Sequence, residues 1–189
     1  MSEDVLRLGI IVGSTREGRF AGTVSGWFAD LARQHPGLEV DVIDLAELDL
    51  PSVHPADLTP ELLAYTARLA VSDAFVVVTP EYNHGYPASL KYAIDSAHAE
   101  WQTKPVGFVS YGGISGGLRA VEQLRQVFAE LHAVTVRETV SFHGVHDCFD
   151  ESGSPKDDTG PAGAAKLMLD QVIWWAHAAK EARIRRPYR

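Results

Sequence analysis

The chain has 189 residues, 46% hydrophobic and 22% charged, which suits a single domain over 1–189 and excludes a disordered or collagen-like chain. Its net charge of −8 argues against a general nucleic-acid binder, whose affinity depends on neutralising phosphates. Cys148 is the only cysteine, the first residues are acidic, and no apolar run approaches the ~20 residues that span a bilayer. We therefore expect a cytoplasmic protein without membrane or nucleic-acid partners.

Strand and helix patterns alternate along the chain. Short apolar runs bounded by turn residues predict strands at 6–12, 38–43, 74–79, 105–110 and 133–140. Apolar residues spaced by three and four predict helices from 21 to about 35, from 60 through 70, from 87 to about 99, from 120 to 131 and from 161 to about 183. A polar connection at 147–160 precedes the last helix, and a basic tail at 184–189 follows it.

The second helix has the clearest start. Thr59 is the expected N-cap and Pro60 the first helical residue. The apolar face of this helix is expected to carry Leu62, Thr66, Leu69 and Ala70.

This alternation predicts an α/β fold with right-handed crossovers. Five strands in a chain of this length suit a flavodoxin-like three-layer α/β/α sandwich, with a five-stranded parallel sheet in the order 2-1-3-4-5. Ligands of such sheets bind beyond the carboxyl ends of the strands, near strands 1 and 3. The loops after strands 1, 3 and 4 are therefore the candidate site.

The loop after strand 1 spans 13–19 and reads GSTREGR. Ser14 offers a hydroxyl, and Arg16 and Arg19 offer guanidinium groups where the next helix begins with its free N–H groups. These features favour a phosphate, and the alternative is an ordinary connection with solvated arginines. The loop is neither a Walker-type P-loop nor a dinucleotide fingerprint.

The other two loops supply aromatic and glycine-rich surfaces. The loop at 79–87, TPEYNHGYP, contains two tyrosines that suit a flat ligand and two prolines that stiffen the backbone. The loop at 110–117, SYGGISGG, has four glycines whose N–H groups suit a carbonyl edge that gains negative charge. Each loop alone is also compatible with a plain surface turn. Together, a phosphate cradle, an aromatic platform and a nest of amides favour FMN.

The three motifs resemble those of the NADPH-dependent FMN reductases, a family that includes quinone and azo-dye reductases. The matching segments are GSTREGR at 13–19, TPEYN at 79–83 with GYP at 85–87 and LK at 90–91, and YGGISGG at 111–117 with RA at 119–120. The resemblance covers roughly residues 5 to 135. It implies FMN as cofactor, NADPH or NADH as co-substrate, and a homodimer or homotetramer built with the helices after strands 3 and 4.

The resemblance also implies roles for single residues. It places Ser14, Arg16 and Arg19 on the FMN phosphate. Residues of the second and third loops would contact the rest of FMN. Those along the ribityl chain and the ring are Pro80, Glu81, Tyr82 and Asn83. Those at or near the polar edge of the ring are Ser110, Tyr111, Gly112, Gly113, Ser115 and Gly116.

The expected reaction moves hydride from NADPH through flavin N5 to a second acceptor in a ping-pong sequence. The flavin carries the electrons, so no catalytic side chain is assigned, and Tyr82 and Tyr86 are expected to shape the substrate face. The acceptor stays open among flavin, quinone, azo compound and metal oxyanion. The alternatives are a flavodoxin-like electron carrier and a non-catalytic interaction protein of this fold.

Several features have no assigned role. His143, His146 and Cys148 have a spacing that suits zinc, but no second cluster completes the ligand set, so no metal is assigned. His84, Cys148 and the basic tail are also unassigned. Of the pair Trp174 and Trp175, one is expected in the core and the other at a subunit contact, and Trp101 is a further contact candidate.

Overall fold

The alternation of strands and helices is present in the computed structural model, which describes residues 5–188. The strands are β1 (Leu6–Val12), β2 (Leu38–Asp44), β3 (Ala74–Pro80), β4 (Pro105–Gly112) and β5 (Val134–His143). The helices are α1 (Ala21–Arg33), α2 (Pro60–Val71), α3 (Ala88–Asp95), α4 (Leu118–Glu130), α5 (Val145–Cys148) and α6 (Thr159–Arg185). A short 3₁₀ helix at Leu45–Glu47 follows β2.

The strands form one parallel sheet in the order β2-β1-β3-β4-β5, which confirms the predicted topology. Val12 pairs with Val78 of β3, and Pro80 pairs with Tyr111 of β4. The carboxyl ends of β1, β3 and β4 therefore lie at the same edge of the sheet. All seven residues of β3 are buried because this central strand is covered on both faces.

Two apolar layers flank the sheet because alternate side chains of each strand point to opposite faces. Val76 and Val78 pack with α1 and α6, where Phe28 and Met168 are fully buried. Phe75 and Val77 pack on the other face with α2, α3 and α4. The sandwich is therefore three-layered, as predicted, with α1 and α6 on one side.

Helix α2 begins as predicted, with the Thr59 hydroxyl accepting from the Leu62 N–H. Its buried face differs from the prediction, since Ala70 is exposed and Tyr65 is 1% exposed. The Tyr65 hydroxyl donates to the Ala93 carbonyl (3.1 Å), which lets a residue with a polar tip replace a purely apolar one in the core.

Helix α3 ends at Asp95, earlier than the predicted end near 99. The Ser96 hydroxyl donates to the Tyr92 carbonyl (2.8 Å), and the chain then turns to bury Trp101. That tryptophan is fully buried and donates to the Ile94 carbonyl (3.0 Å), so the expectation that it covers a subunit contact was wrong.

Helix α6 is longer than predicted and continues through the first two residues of the expected tail. Its buried face carries Ala165, Met168, Leu169, Val172 and Ala176. Trp174 and Trp175 lie off that face and are 63% and 42% exposed. The expectation that one of them packs in the core was therefore wrong. Arg189 of the predicted tail lies outside the described residues. Within residues 5–188, no helix is both long and apolar enough to cross a membrane.

Candidate functional site

A cavity of about 480 Å³ lies at the carboxyl edge of the sheet, over the ends of β3 and β4. Residues 16–20, 80–82, 111–113 and 144–147 line it. The three loops selected from the sequence therefore all contribute to one cavity. The fourth segment belongs to the α5 region, which the sequence analysis missed because four residues are too few to show a helical period.

The first loop is fixed to the sheet on one side and open on the other. Ser14 is fully buried and its hydroxyl lies 2.7 Å from the Tyr82 hydroxyl, which joins the first loop to the second. Arg16 is exposed at the cavity wall, and within residues 5–188 it makes no ion pair. Its charge is therefore available to an anionic ligand. Gly18 has φ 66 and open space where a Cβ would be, so this turn suits glycine.

Arg19 has a different environment. Its Nη1 and Nη2 atoms lie 2.5 and 2.6 Å from the two carboxylate oxygens of Asp44, and Nη1 also donates to the Ser14 carbonyl (2.6 Å). Hydrogen bonding to Asp44 raises the pKa of Arg19 against the opposing effect of burial. Asp44 was missed in the sequence, although its place at the carboxyl end of β2, beside β1, was the available signal.

The second loop is a tight hairpin. Tyr82 and Gly85 exchange backbone hydrogen bonds of 2.8 and 3.0 Å, and the two residues between them, Asn83 and His84, have φ 49 and 71. Tyr82 lines the cavity, whereas Asn83 is exposed outside its lining. Tyr86 packs against the core on the α3 side and does not line the cavity. Cofactor contacts of Asn83 and a substrate-face role of Tyr86 stay predictions.

The third loop is held from beneath. The hydroxyls of Ser110 and Ser141 both donate to the Gly116 carbonyl, each at 2.8 Å. A Cβ on Gly116, whose φ is 60, would lie 2.4 Å from the Ser141 Oγ. Gly112 and Gly113 line the cavity, and nothing lies within 4 Å of the Cβ position of Gly113. The hydrogen bond between Ser110 and Gly116 therefore stabilises the conformation of the loop. A direct contact of either residue with a cofactor stays a prediction.

Glu81 lines the cavity, but its carboxylate is turned toward α4. Its oxygens accept from the Ser115 hydroxyl (2.6 Å) and from the Arg119 Nε (2.6 Å) and backbone N–H (3.2 Å). Burial alone would raise the pKa of Glu81, but the bonds from Ser115 and Arg119 outweigh it and the pKa lies below its ordinary value. Arg119 follows the third motif in the sequence but was assigned no role there, because its contact with Glu81 joins residues 38 positions apart.

The Tyr111 hydroxyl is buried without a hydrogen-bond partner among the described residues. Tyr111 is only 4% exposed, and burial raises its pKa. A buried hydroxyl left unpaired costs about 1–3 kcal/mol. Because Tyr111 lines the cavity, a polar ligand atom there would relieve this cost.

Comparison with known proteins assigns the family. The sequence model described as NADPH-dependent FMN reductase matches residues 6–147, which is most of the chain. The chain belongs to the NADPH-dependent FMN reductase family. This confirms the resemblance drawn from the three loop motifs.

Individual proteins similar to this FMN reductase family member carry related names. An NAD(P)H-dependent FMN reductase of Schizosaccharomyces pombe is 36% identical over 127 residues, which is 62% of this chain and 63% of that protein, less than two thirds of its length. The NADPH:quinone oxidoreductase of Arabidopsis thaliana is 30% identical over 179 residues, which cover 89% of both chains. The solved structure of FerB, a flavoenzyme NAD(P)H:(acceptor) oxidoreductase from Paracoccus denitrificans, superimposes with a TM-score of 0.75 at 24% identity, covering 93% of this chain and 99% of that one. At that identity the likeness shows the fold.

The residues with zinc-like spacing take separate partners in this family member. The His143 Nδ1 lies 2.8 Å from the Ile114 carbonyl oxygen, and the Cys148 thiol donates to the His143 carbonyl (3.1 Å). His146 instead lines the cavity, with its ring edge-on to Phe20 at 5.1 Å between centroids. The contacts of His143 and Cys148 link the third loop, the end of β5 and α5. His146 adds one imidazole ring to the lining of the cavity.

Proposed function

We propose that this family member is an FMN-dependent NAD(P)H oxidoreductase that passes reducing equivalents to a second small-molecule acceptor. The observation that carries the proposal is the cavity in which all three motif loops meet. Its volume of about 480 Å³ lies within the roughly 300–1,000 Å³ of small-molecule sites.

The residues around the cavity fit FMN on two physical grounds. Arg16 presents an uncompensated guanidinium just before the amino end of α1, where backbone N–H groups also favour a phosphate. Tyr111 also lines the cavity, and we expect its buried hydroxyl, which has no hydrogen-bond partner among the described residues, to bond a polar atom of the ligand. Glu17 and Asp147 also line the cavity and would repel a phosphate, so we expect the phosphate beside the Arg16 guanidinium.

The protein side of the mechanism is binding and orientation. Bound FMN would supply the hydride chemistry. Tyr82 lines the cavity and is the aromatic residue we assign to the substrate face. Nothing lies within 4 Å of the Cβ position of Gly113, so a ligand could approach the backbone there, and amide N–H groups would favour negative charge on it. Neither role needs a side chain that transfers a proton.

The order of substrates is proposed to be ping-pong. The nicotinamide and the second acceptor would both enter by the open side of the same cavity, so one must leave before the other binds. We propose quinones and free flavins as acceptors, because curated relatives are named quinone oxidoreductase and FMN reductase. Azo compounds and metal oxyanions belong to the same test.

The experiment is anaerobic titration of the FMN-reconstituted protein. We expect NADPH or NADH to bleach the oxidised flavin spectrum within one turnover, and a quinone or free FMN to restore it. An electron carrier would bind FMN but resist bleaching by both nicotinamides. A non-catalytic relative would bind no FMN, and either result would overturn the proposal.

We also propose assembly into a homodimer or homotetramer through α3 and α4. Light scattering on the purified protein tests this, with a monomer at micromolar concentration as the contradicting result.

A further inference from the structure

The Glu81 carboxylate acts as a connector between the second loop and α4. Its two oxygens receive three donors, one from Ser115 and two from Arg119. The Glu81 backbone N–H in turn donates to the Tyr111 carbonyl at the end of β4 (3.1 Å). One residue therefore ties together the end of β3, the end of β4 and the first turn of α4.

Helix α4 depends on this carboxylate for its amino end. Its N-cap, Gly117, offers no side-chain hydrogen bond, and its first turn contains no acidic residue. The Glu81 carboxylate accepts the free Arg119 N–H and places negative charge at the positive end of the helix dipole. The sequence of α4 alone gives no sign of this cap.

Glu81, which lines the cavity, forms a charge pair with Arg119 of α4, which lies outside the cavity lining. Their side chains are 6% and 46% exposed, so the anion is the buried partner. The Cβ position of Gly112 lies 3.8 Å from the Glu81 Cβ, which places Glu81 beside a glycine that lines the cavity. Arg119 is held from its other side by the His84 Nε2, 2.8 Å from its Nη1.

We propose that Glu81 and Arg119 are positioning residues that keep this wall of the cavity electrically neutral and thereby set the reduction potential of the bound flavin. The inference rests on the proposed function. A buried charge such as that of Glu81 acts strongly on its surroundings when it is unpaired and is nearly cancelled when it is paired. Two-electron reduction of a flavin adds negative charge, so the sign of an unpaired wall charge shifts the potential.

Single substitutions should move the potential in opposite directions. Arg119→Gln leaves the Glu81 carboxylate unpaired and should lower the potential by about 30 mV, which corresponds to a tenfold change in the two-electron equilibrium. Glu81→Gln leaves the Arg119 cation and should raise the potential, by about half as much because Arg119 is partly exposed to solvent. The double variant should return to within about 5 mV of the parent.

The measurement is equilibration of the FMN-loaded protein with dyes of known potential at pH 8, where Glu81 stays ionised. Dissociation constants of oxidised FMN from the apoprotein and urea unfolding of the apoprotein are recorded in parallel. Lys166→Gln and Asp170→Asn are the matched controls, because they break an exposed pair on α6 (2.9 Å) with the same changes in net charge. Neither control should shift the potential by more than about 5 mV.

Arg119→Lys separates charge from architecture. It keeps the cation but loses the fork geometry, so it should weaken the fold while keeping a potential close to the parent. Shifts of the same sign in both single variants, shifts no larger than those of the controls, or an Arg119→Lys shift equal to that of Arg119→Gln would each overturn the inference. Failure of the parent apoprotein to bind FMN would instead overturn the proposed function, and this inference with it.

Discussion

At the scale of single residues, the two arginines of the first loop differ in whether an acidic side chain already neutralises them. Arg19 is bound by both carboxylate oxygens of Asp44, whereas Arg16 is exposed at the cavity wall. The sequence presents the two arginines as equivalent because they lie in one short loop. The pairing with Asp44 depends on β2 lying beside β1, which no local pattern shows.

Arg16→Ala is expected to weaken FMN binding at least tenfold, because a hydrogen bond to a charged group contributes about 1.5–3 kcal/mol. Riboflavin, which lacks the phosphate, should bind the variant and the parent equally. Both affinities come from titration of the apoprotein followed by flavin fluorescence. Equal losses for the two ligands would show that Arg16 does not contact the phosphate.

Arg19→Ala is the contrasting variant for the same loop. Since it leaves the mostly buried Asp44 carboxylate without its partner, it should lower the unfolding free energy of the apoprotein by about 1–3 kcal/mol. Arg16→Ala should leave that quantity within about 0.5 kcal/mol of the parent. If the double variant copurifies with as much FMN as the parent, the phosphate assignment of both residues is wrong.

Tyr111→Phe removes the buried hydroxyl for which residues 5–188 provide no hydrogen-bond partner. The apoprotein is expected to be unchanged or more stable by up to about 1 kcal/mol, since no protein hydrogen bond is lost. FMN affinity should fall severalfold, because the hydroxyl is expected to bond the ligand. Urea unfolding and FMN titration give the two quantities, and a fall in apoprotein stability would contradict this role.

At the scale of secondary-structure elements, the sheet and its helices were predictable and the contacts between them were not. The five strands follow from short apolar runs, although β4 and β5 extend two and three residues beyond their predicted ends. The start of α2 follows from Thr59 and Pro60. The buried face of α2 was wrong because Tyr65 reaches the Ala93 carbonyl of a neighbouring helix. Likewise, the glycines of the third loop were visible in the sequence, but not which of them the loop requires.

Gly116→Ala and Gly113→Ala are a matched pair for that question. Gly116 has a positive φ and its Cβ would meet the Ser141 Oγ at 2.4 Å, so alanine should lower the unfolding free energy by about 1–3 kcal/mol. Gly113 has open space at its Cβ, so alanine there should leave the fold within about 0.5 kcal/mol of the parent. Urea unfolding of both apoproteins tests this, and equal losses would refute the loop geometry.

At the scale of the whole molecule, the edge of the sheet opposite the cavity is held by buried charge. Lys104 donates to the Leu69 and Ala70 carbonyls at the end of α2 (2.8 and 3.0 Å). Nearby, Asp73 accepts from Lys180 of α6 (3.1 Å) and from the Arg7 backbone of β1 (3.1 Å). Three layers of the sandwich therefore meet at one polar cluster.

Lys104 gives this cluster a testable pH dependence. Burial and the charge of Arg183 lower the pKa of Lys104 to about 8, against the opposing charge of Asp73. Below pH 8 the amine is charged in the folded and the unfolded chain, and folding carries the whole cost of burying that charge. Between pH 8 and 10.5 the unfolded chain holds the extra proton, so the contribution of Lys104 to stability rises with pH.

The expected rise is about 2 kcal/mol in unfolding free energy, taken as the difference between the parent and a Lys104→Met variant. The difference cancels the titration of other groups in the same range. Urea unfolding at pH 7.5, 9 and 10 supplies the values. A constant difference across this range would show that Lys104 titrates normally.

The sequence by itself determined the strand order, the edge of the sheet that carries the site, and the family, because hydrophobic periodicity and loop composition are local properties of the chain. Only the tertiary structure decided which loop residues are free to meet a ligand. Asp44 neutralises Arg19, the Glu81 carboxylate pairs with Arg119 of α4, and residues 144–147 line the cavity beside the three loops. Each of these results from residues distant in sequence that the sheet brings together, and side-chain pairing across such distances leaves no periodic signal.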